Sequence, residues 1–224
     1  MSTAISVIVF DVNETLSDMA PLGNRFAEVG APKELVKLWF ASLLRDGFAL
    51  TASGDNGSFA VLGAEALRGL LVAEGTTGDL DRAVEHVMKG MRDLGLHPDV
   101  PEGVRALTGA GYRLITLTNG ATAMTERLFN EGGIRDEFEL LLSVQDAPAW
   151  KPAPAAYEYA AASAGAGAAE MLLVAVHPWD IHGAAKAGLR TAWLNRTGAA
   201  YPSYFQSPDI TINALPELPA ALEA

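Results

Sequence analysis

Five polar sites stand at the ends of apolar runs or in the loops just after them: Asp11, Thr118-Asn119, Lys151, His177 and Asp180. A single polar residue in such a place is ordinarily a turn or a helix cap. Five of them, from segments far apart in sequence, point to one shared site if a sheet gathers those ends. Carboxylates, an ammonium, an imidazole and an amide are the groups of nucleophilic, acid–base and anion-binding chemistry. Cysteine is absent, which excludes a thiol nucleophile, zinc–thiolate sites, iron–sulfur clusters and disulfides. The chain carries 27 acidic and 16 basic side chains, a net charge of −11. Such a surface repels phosphate backbones and anionic lipid, so neither nucleic acid nor a membrane is the expected partner. A small anionic substrate would need a local positive site built against that field.

The elements that must position these groups are legible as short apolar runs. Ile5–Phe10 leads into Asp11, Arg113–Leu117 into Thr118-Asn119-Gly120, and Leu140–Val144 toward Lys151. Met171–Val176 stops at His177, Thr191–Leu194 precedes Asn195-Arg196, and Asp209–Ile212 closes the series. The runs are continuously apolar rather than alternating, which suits strands buried on both faces of a parallel sheet. Helical patterns separate them at Pro101–Ala110, Ala121–Gly132, Pro154–Ala164 and Asp180–Ala187, with a last short helix over Leu215–Glu223. Strand alternating with helix predicts an α/β fold, a doubly wound, Rossmann-like parallel-sheet core. In that fold the ligand site lies outside the carboxyl ends of the strands, where the five positions fall.

One stretch breaks the alternation. From Ser17 to His97 the pattern is helical only, over Lys33–Gly47, Ser58–Glu74 and Asp79–Leu94. Leu35, Leu38, Trp39, Leu43 and Leu44 recur at helical spacing, as do Phe59, Leu62, Ala66, Leu67 and Leu70, each set reading as one buried face. The predicted organisation is a core of residues 1–16 and 99–224 with an inserted all-helical cap of residues 17–98, His97–Pro101 being the return hinge. The apolar fraction is 50% and the charged fraction 19%, a globular balance. No run approaches the ~18 apolar residues of a membrane span. The first six residues lack a secretory n-region and h-region. A soluble cytoplasmic protein is the expectation.

The segment Phe10-Asp11-Val12-Asn13-Glu14-Thr15-Leu16 resembles motif I of the haloacid dehalogenase superfamily, with a nucleophilic aspartate ending the first strand. Thr118-Asn119 resembles its motif II, Lys151-Pro152 motif III and Asp180 motif IV, in order, with the cap at the family's usual insertion point. Most members are magnesium-dependent phosphatases, and this sequence departs from their pattern twice. Asn13 stands where a phosphatase has the aspartate that protonates its leaving group, and Val176 where it has an acidic group supporting Mg²⁺. Halide needs no proton on departure, and a haloacid brings one carboxylate rather than a phosphate dianion. The stretch Trp193-Leu194-Asn195-Arg196-Thr197-Gly198 is similar to the W-x-N-R-x-G stretch of the L-2-haloacid dehalogenases, and Leu141–Val144, Tyr157 and Trp179-Asp180 fit the same group. Three departures from that group stand out. Phe40 replaces an arginine that contacts the departing halide, Thr118 replaces a serine, and Ala175 and His177 replace a serine and an asparagine.

The resemblance implies an (S)-2-haloacid dehalogenase without a cofactor or metal. In it Asp11 displaces halide with inversion, and water hydrolyses the resulting aspartyl ester. Thr15 and Asp180 would orient Asp11, while Lys151 keeps both carboxylates ionised. Thr118, Asn119 and the following amides would take the substrate carboxylate; Phe40, Tyr157 and Trp179 would line the substrate site. Arg45, further along the helix of Phe40, lies too far round to be assumed a substitute for the missing arginine. Glu14 holding His177 in one tautomer would make a base for the hydrolytic water; the alternative is a loop carboxylate beside a turn residue. His86, His97 and His182 read as surface or turn residues. A homodimer is implied too, with Trp39 and Phe40 at either the cap–core seam or a subunit interface. A phosphatase or phosphomutase-like member of the superfamily, or a catalytically idle binding module, are the competing readings.

Overall fold

A six-stranded parallel sheet forms the centre of the computed structural model, which describes residues 4–76 and 78–223. Its strands are β1 (Val7–Phe10), β2 (Arg113–Thr118), β3 (Leu140–Ser143), β4 (Met171–Ala175), β5 (Arg190–Leu194) and β6 (Ile210–Ile212). They lie side by side in the order β3-β2-β1-β4-β5-β6. The chain order reverses at β1, which pairs β2 through Phe10↔Thr116 and β4 through Phe10↔Val174. The crevice beyond the end of β1 is therefore a topological switch point, the place where such sheets bind ligands. Val7 and Val9 pack on one face of the sheet, Ile8 and Phe10 on the other. Both faces are covered, which is why the strands read as unbroken apolar runs.

Four helices lie between β1 and the rest of the sheet: α1 (Leu22–Glu28), α2 (Leu35–Ala52), α3 (Phe59–Ala73) and α4 (Leu80–Arg92). They form the expected cap, and Trp39, Leu43, Phe59, Leu67 and Val87 are its buried centre. The chain leaves and re-enters the core side by side. Asp18 N–H donates to Gly95 O at 2.8 Å and His97 N–H to Leu16 O at 2.9 Å. The core helices are α5 (Val100–Gly109), α6 (Thr122–Glu131), α7 (Pro154–Ala164), α8 (Pro178–Lys186) and α9 (Leu218–Glu223). A single 3₁₀ turn at Leu215–Glu217 takes up the start of the predicted terminal helix.

Three differences from the sequence pattern have physical reasons. Helix α1 was not expected, because seven residues are too few to show a helical period; burial of Leu22 and Phe26 holds it. Helix α2 runs past the expected stop at Gly47. That glycine is a packing residue, because a Cβ there would collide with the ring of Trp150. Helix α8 begins at Pro178 rather than Asp180, since proline's fixed φ suits the first helical position. Asp180 therefore sits in the first turn of α8, fully buried.

Candidate active site

The carboxyl ends of β1 and β4, the loops after β1 and β3 and the first turn of α8 bring six of the predicted residues into direct contact. Lys151 Nζ lies 2.8 Å from Asp11 Oδ1 and 2.6 Å from Asp180 Oδ2, so one ammonium bridges two carboxylates. Thr15 Oγ1 donates to Asp11 Oδ2 at 2.6 Å and accepts from Val176 N–H at 3.1 Å, which fixes its hydrogen on the carboxylate. His177 Nδ1 lies 3.1 Å from the same Asp11 Oδ2, and its Nε2 lies 2.9 Å from Glu14 Oε2. Asp11 Oδ2 thus faces two donors and Oδ1 only one.

These contacts set the charges. Burial works to raise the Asp11 pKa, but Lys151 and then His177 more than reverse it and hold Asp11 below the usual carboxylate range. Asp180 shares the same ammonium without the imidazole, and burial together with the charge of Asp11 leaves its pKa raised. Burial likewise works to lower Lys151, and the two carboxylates outweigh it, so the ammonium stays charged. Burial also opposes a charged His177; hydrogen bonds to Asp11 and Glu14 overcome that and raise its pKa from 6.5 to about 9. The resting imidazole is therefore a cation at neutral pH. This differs from the neutral, one-tautomer histidine expected from Glu14 alone, because the sequence could not show that Nδ1 also meets Asp11.

The remaining predicted residues fall into two groups. Phe40 and Trp179 face the site: their ring centroids lie 6.1 Å and 5.0 Å from that of His177. The Trp179 ring centroid is also 6.0 Å from Lys151 Nζ, and Phe48 packs on that ring edge-on at 5.1 Å. Tyr157, expected to line the substrate site, is fully buried and donates its hydroxyl to Asp180 Oδ1 at 2.6 Å. Burial and the neighbouring Asp180 raise its pKa well above that of an ordinary phenol, so it stays a donor. Asn119 grips the backbone of Lys151, accepting from its N–H at 3.0 Å and donating to its carbonyl at 3.2 Å. Thr118 Oγ1 accepts from Gly120 N–H at 3.0 Å, leaving its own hydrogen free to donate. Arg45, 71% exposed and paired with Asp46, does not replace the absent arginine.

Further residues support the site, and one of them, Trp150, had no sequence signal. Trp150, next to Lys151, stacks on Phe59 of α3 with centroids 6.2 Å apart and donates through Nε1 to Gly57 O at 3.0 Å. It ties the lysine loop to the cap. Trp193 Nε1–H donates to Val176 O at 2.9 Å, and Arg196 Nη2 donates to Thr15 O at 3.0 Å. The W-x-N-R-x-G stretch thus braces the backbone beside Thr15 and His177. Trp39 and Phe40 are buried within the single chain, at the cap's centre and at its seam with the core.

A family model described as haloacid dehalogenase-like hydrolase matches residues 5–188. The chain belongs to the haloacid dehalogenase-like hydrolases. This hydrolase is 31% identical over 213 residues to "Haloacetate dehalogenase H-2" of Moraxella sp. (strain B), covering 93% of each chain. It is 30% identical to "(S)-2-haloacid dehalogenase" of Pseudomonas sp. (strain YL), covering 94% of this chain and 91% of that one. Among solved structures it superposes with a TM-score of 0.91 on a "Dehalogenase with intermediate complex", at 28% identity and complete coverage of both chains.

A divalent ion at this site would need carboxylate oxygens free to ligate it. Asp11 Oδ1 and Asp180 Oδ2 both face Lys151, Asp11 Oδ2 faces Thr15 and His177, and Asp180 Oδ1 faces Tyr157. Each oxygen of the two carboxylates already has a donor, and among the described residues no cluster of three or more His, Asp and Glu is arranged to hold a metal. Nor is any described helix long and apolar enough to cross a membrane.

The charged His177 also makes a stability prediction. Its folded pKa of about 9 exceeds the ordinary 6.5, so its ion pairs contribute fully below pH 6.5 and are lost as pH rises through about 9. The melting temperature should fall across that window, and His177→Asn should flatten this part of the curve. An unchanged slope in the variant would show that His177 is not charged in the folded hydrolase.

Proposed function

We propose that this chain hydrolyses short 2-haloalkanoic acids to 2-hydroxy acids through an aspartyl ester on Asp11. The observation that carries this reading is the Asp11 carboxylate, buried, held ionised by Lys151 and His177, and placed at the switch point of a fold whose relatives include haloacid dehalogenases. In this reading residues 17–98 cap a core of residues 1–16 and 99–224. Asp11 Oδ1, with one donor, attacks the α-carbon, and halide leaves. Oδ2 then becomes the ester carbonyl oxygen, still facing Thr15 Oγ1 and His177 Nδ1. Asp180, held by Tyr157, fixes Lys151 against the nucleophile. Thr118 and Asn119 take the substrate carboxylate through the donor hydrogens they have left, while Phe40 and Trp179 supply dry walls.

The second step turns on a change of charge. Once Asp11 is an ester, His177 Nδ1 no longer faces an anion, and the main cause of its raised pKa is gone. Its proton is released to solvent water, and the halide departs as the free anion. The neutral ring, oriented through Nε2–H on Glu14, then presents Nδ1 to a water at the ester. Water adds to the Asp11 carbonyl carbon as His177 takes one proton. Collapse expels the alkoxide, which picks up the other proton, and Asp11 returns as a carboxylate beside an imidazolium. The net products are one hydroxy acid, one halide and one proton.

Homodimerisation belongs to the same reading. Trp39 and Phe40, buried within one chain, are not available for it.

A halide-release panel on chloroacetate, bromoacetate and 2-chloropropionate, run with and without EDTA, tests the function. Release unaffected by the chelator is expected. No halide release, together with Mg²⁺-stimulated phosphate release from a small phosphoester, would install a phosphatase instead.

A further inference from the structure

We propose that His97 is a positioning residue for ester hydrolysis, its ring N–H fixing the backbone turn that aims Glu14 at His177. Glu14 is the one non-glycine residue with positive φ among the described residues, at 61°. A side chain bearing a Cβ resists that left-handed conformation, so it persists only where neighbours impose it. Two contacts impose it here. The Glu14 carboxylate meets His177 Nε2 at 2.9 Å, and the Glu14 carbonyl oxygen lies 3.0 Å from His97 Nε2. A carbonyl oxygen only accepts, so His97 Nε2 carries the hydrogen.

His97 is itself fixed. Its backbone N–H donates to Leu16 O at 2.9 Å, and its carbonyl accepts from Val100 N–H at 3.1 Å at the start of α5. Ser17 and Leu96 form an antiparallel bridge beside it. The return of the chain from the cap thus delivers an imidazole to the loop just after the nucleophile. Without that donor, the Glu14 peptide is free to leave the left-handed region. The carboxylate would swing with it, because φ sets the direction of the Cα–Cβ bond relative to the chain on either side. Glu14, His97 and His177 also line one cavity of about 660 Å³, so a displaced Glu14 carboxylate has open space to enter. Without Glu14, the neutral His177 of the ester state loses the partner that fixes its tautomer.

This inference rests on the Glu14–His177 pair activating the hydrolytic water, and its test separates the two ideas. His97→Phe keeps a ring of similar size and removes the donor; His97→Gln keeps an amide N–H. His97→Phe should retain a burst of about one halide per site, then turn over on the order of tenfold to a hundredfold more slowly, as expected when a group is misplaced without being removed. The ester should accumulate on the peptide containing Asp11, and His97→Gln should recover most of the rate. A purely structural role would instead lower the melting temperature and slow both half-reactions alike. If His97→Phe does not fold, His97→Ala carries the same comparison. Wild-type ester hydrolysis in the donor-less variant, or loss of the burst with the turnover, overturns the assignment. If His177→Asn also shows no burst, the failure lies with the water-activating pair itself.

Discussion

Asp11→Asn is expected to fold and to release no halide, with no mass added to the peptide that contains residue 11. An amide oxygen is a poor nucleophile at carbon, and an amide cannot become the ester that the second step hydrolyses. The loss should be one of chemistry rather than of structure, for three reasons visible in the site. The asparagine is the same shape, and its oxygen still accepts from Thr15. Lys151 retains Asp180 at 2.6 Å, so its buried ammonium is not left without an anion. His177 retains Glu14 at 2.9 Å. Circular dichroism and a melting curve check the fold, and halide release with peptide mass checks the chemistry. Near-wild-type turnover in a folded Asp11→Asn protein would remove the central claim, since the other carboxylate on Lys151 has no access to substrate. Asp180 is fully buried between Lys151 and Tyr157.

The positions of Asp11, Lys151, His177 and Asp180 were legible because a parallel sheet buried on both faces leaves a simple trace. Its strands are unbroken apolar runs, and their first polar residues mark the functional edge. The cap was legible for a related reason: helices that share one core repeat their apolar residues at helical spacing, as Leu35, Trp39 and Leu43 do. What escaped was set by packing across the chain. Gly47 looks like a helix terminator in sequence, and only the Trp150 ring lying against it shows a packing role. Tyr157 could be placed near the site but not oriented, and orientation decides that it serves Asp180 rather than substrate. His97 could be placed at the return hinge, but its contact with Glu14 left no trace in sequence, because the partner is a backbone carbonyl and any residue type could stand there.

His177 shows why the charge state had to come from geometry, and it gives the second large expected effect. Sequence pairs it with Glu14; the structure adds Asp11 on the other nitrogen, so the resting ring is a cation and not yet a base. His177→Asn should therefore leave the first step largely intact. Displacement of halide needs an ionised Asp11, which Lys151 at 2.8 Å still supports. Hydrolysis of the ester then lacks a base, and removal of a general base typically costs ~10²–10⁴-fold. The expected trace is a burst of about one halide per active site followed by slow turnover, with ester accumulating on the peptide containing Asp11. Glu14→Gln should give a milder form of the same trace, because it weakens the orientation of the ring but leaves the proton acceptor in place. The wild-type rate should in turn rise with pH wherever deprotonation of His177 in the ester state limits turnover, and His177→Asn should lose that dependence. If His177→Asn shows no burst and fails instead at halide displacement, the imidazolium acts in the first step, on the bound substrate or the departing halide, and the base for hydrolysis lies elsewhere in the site.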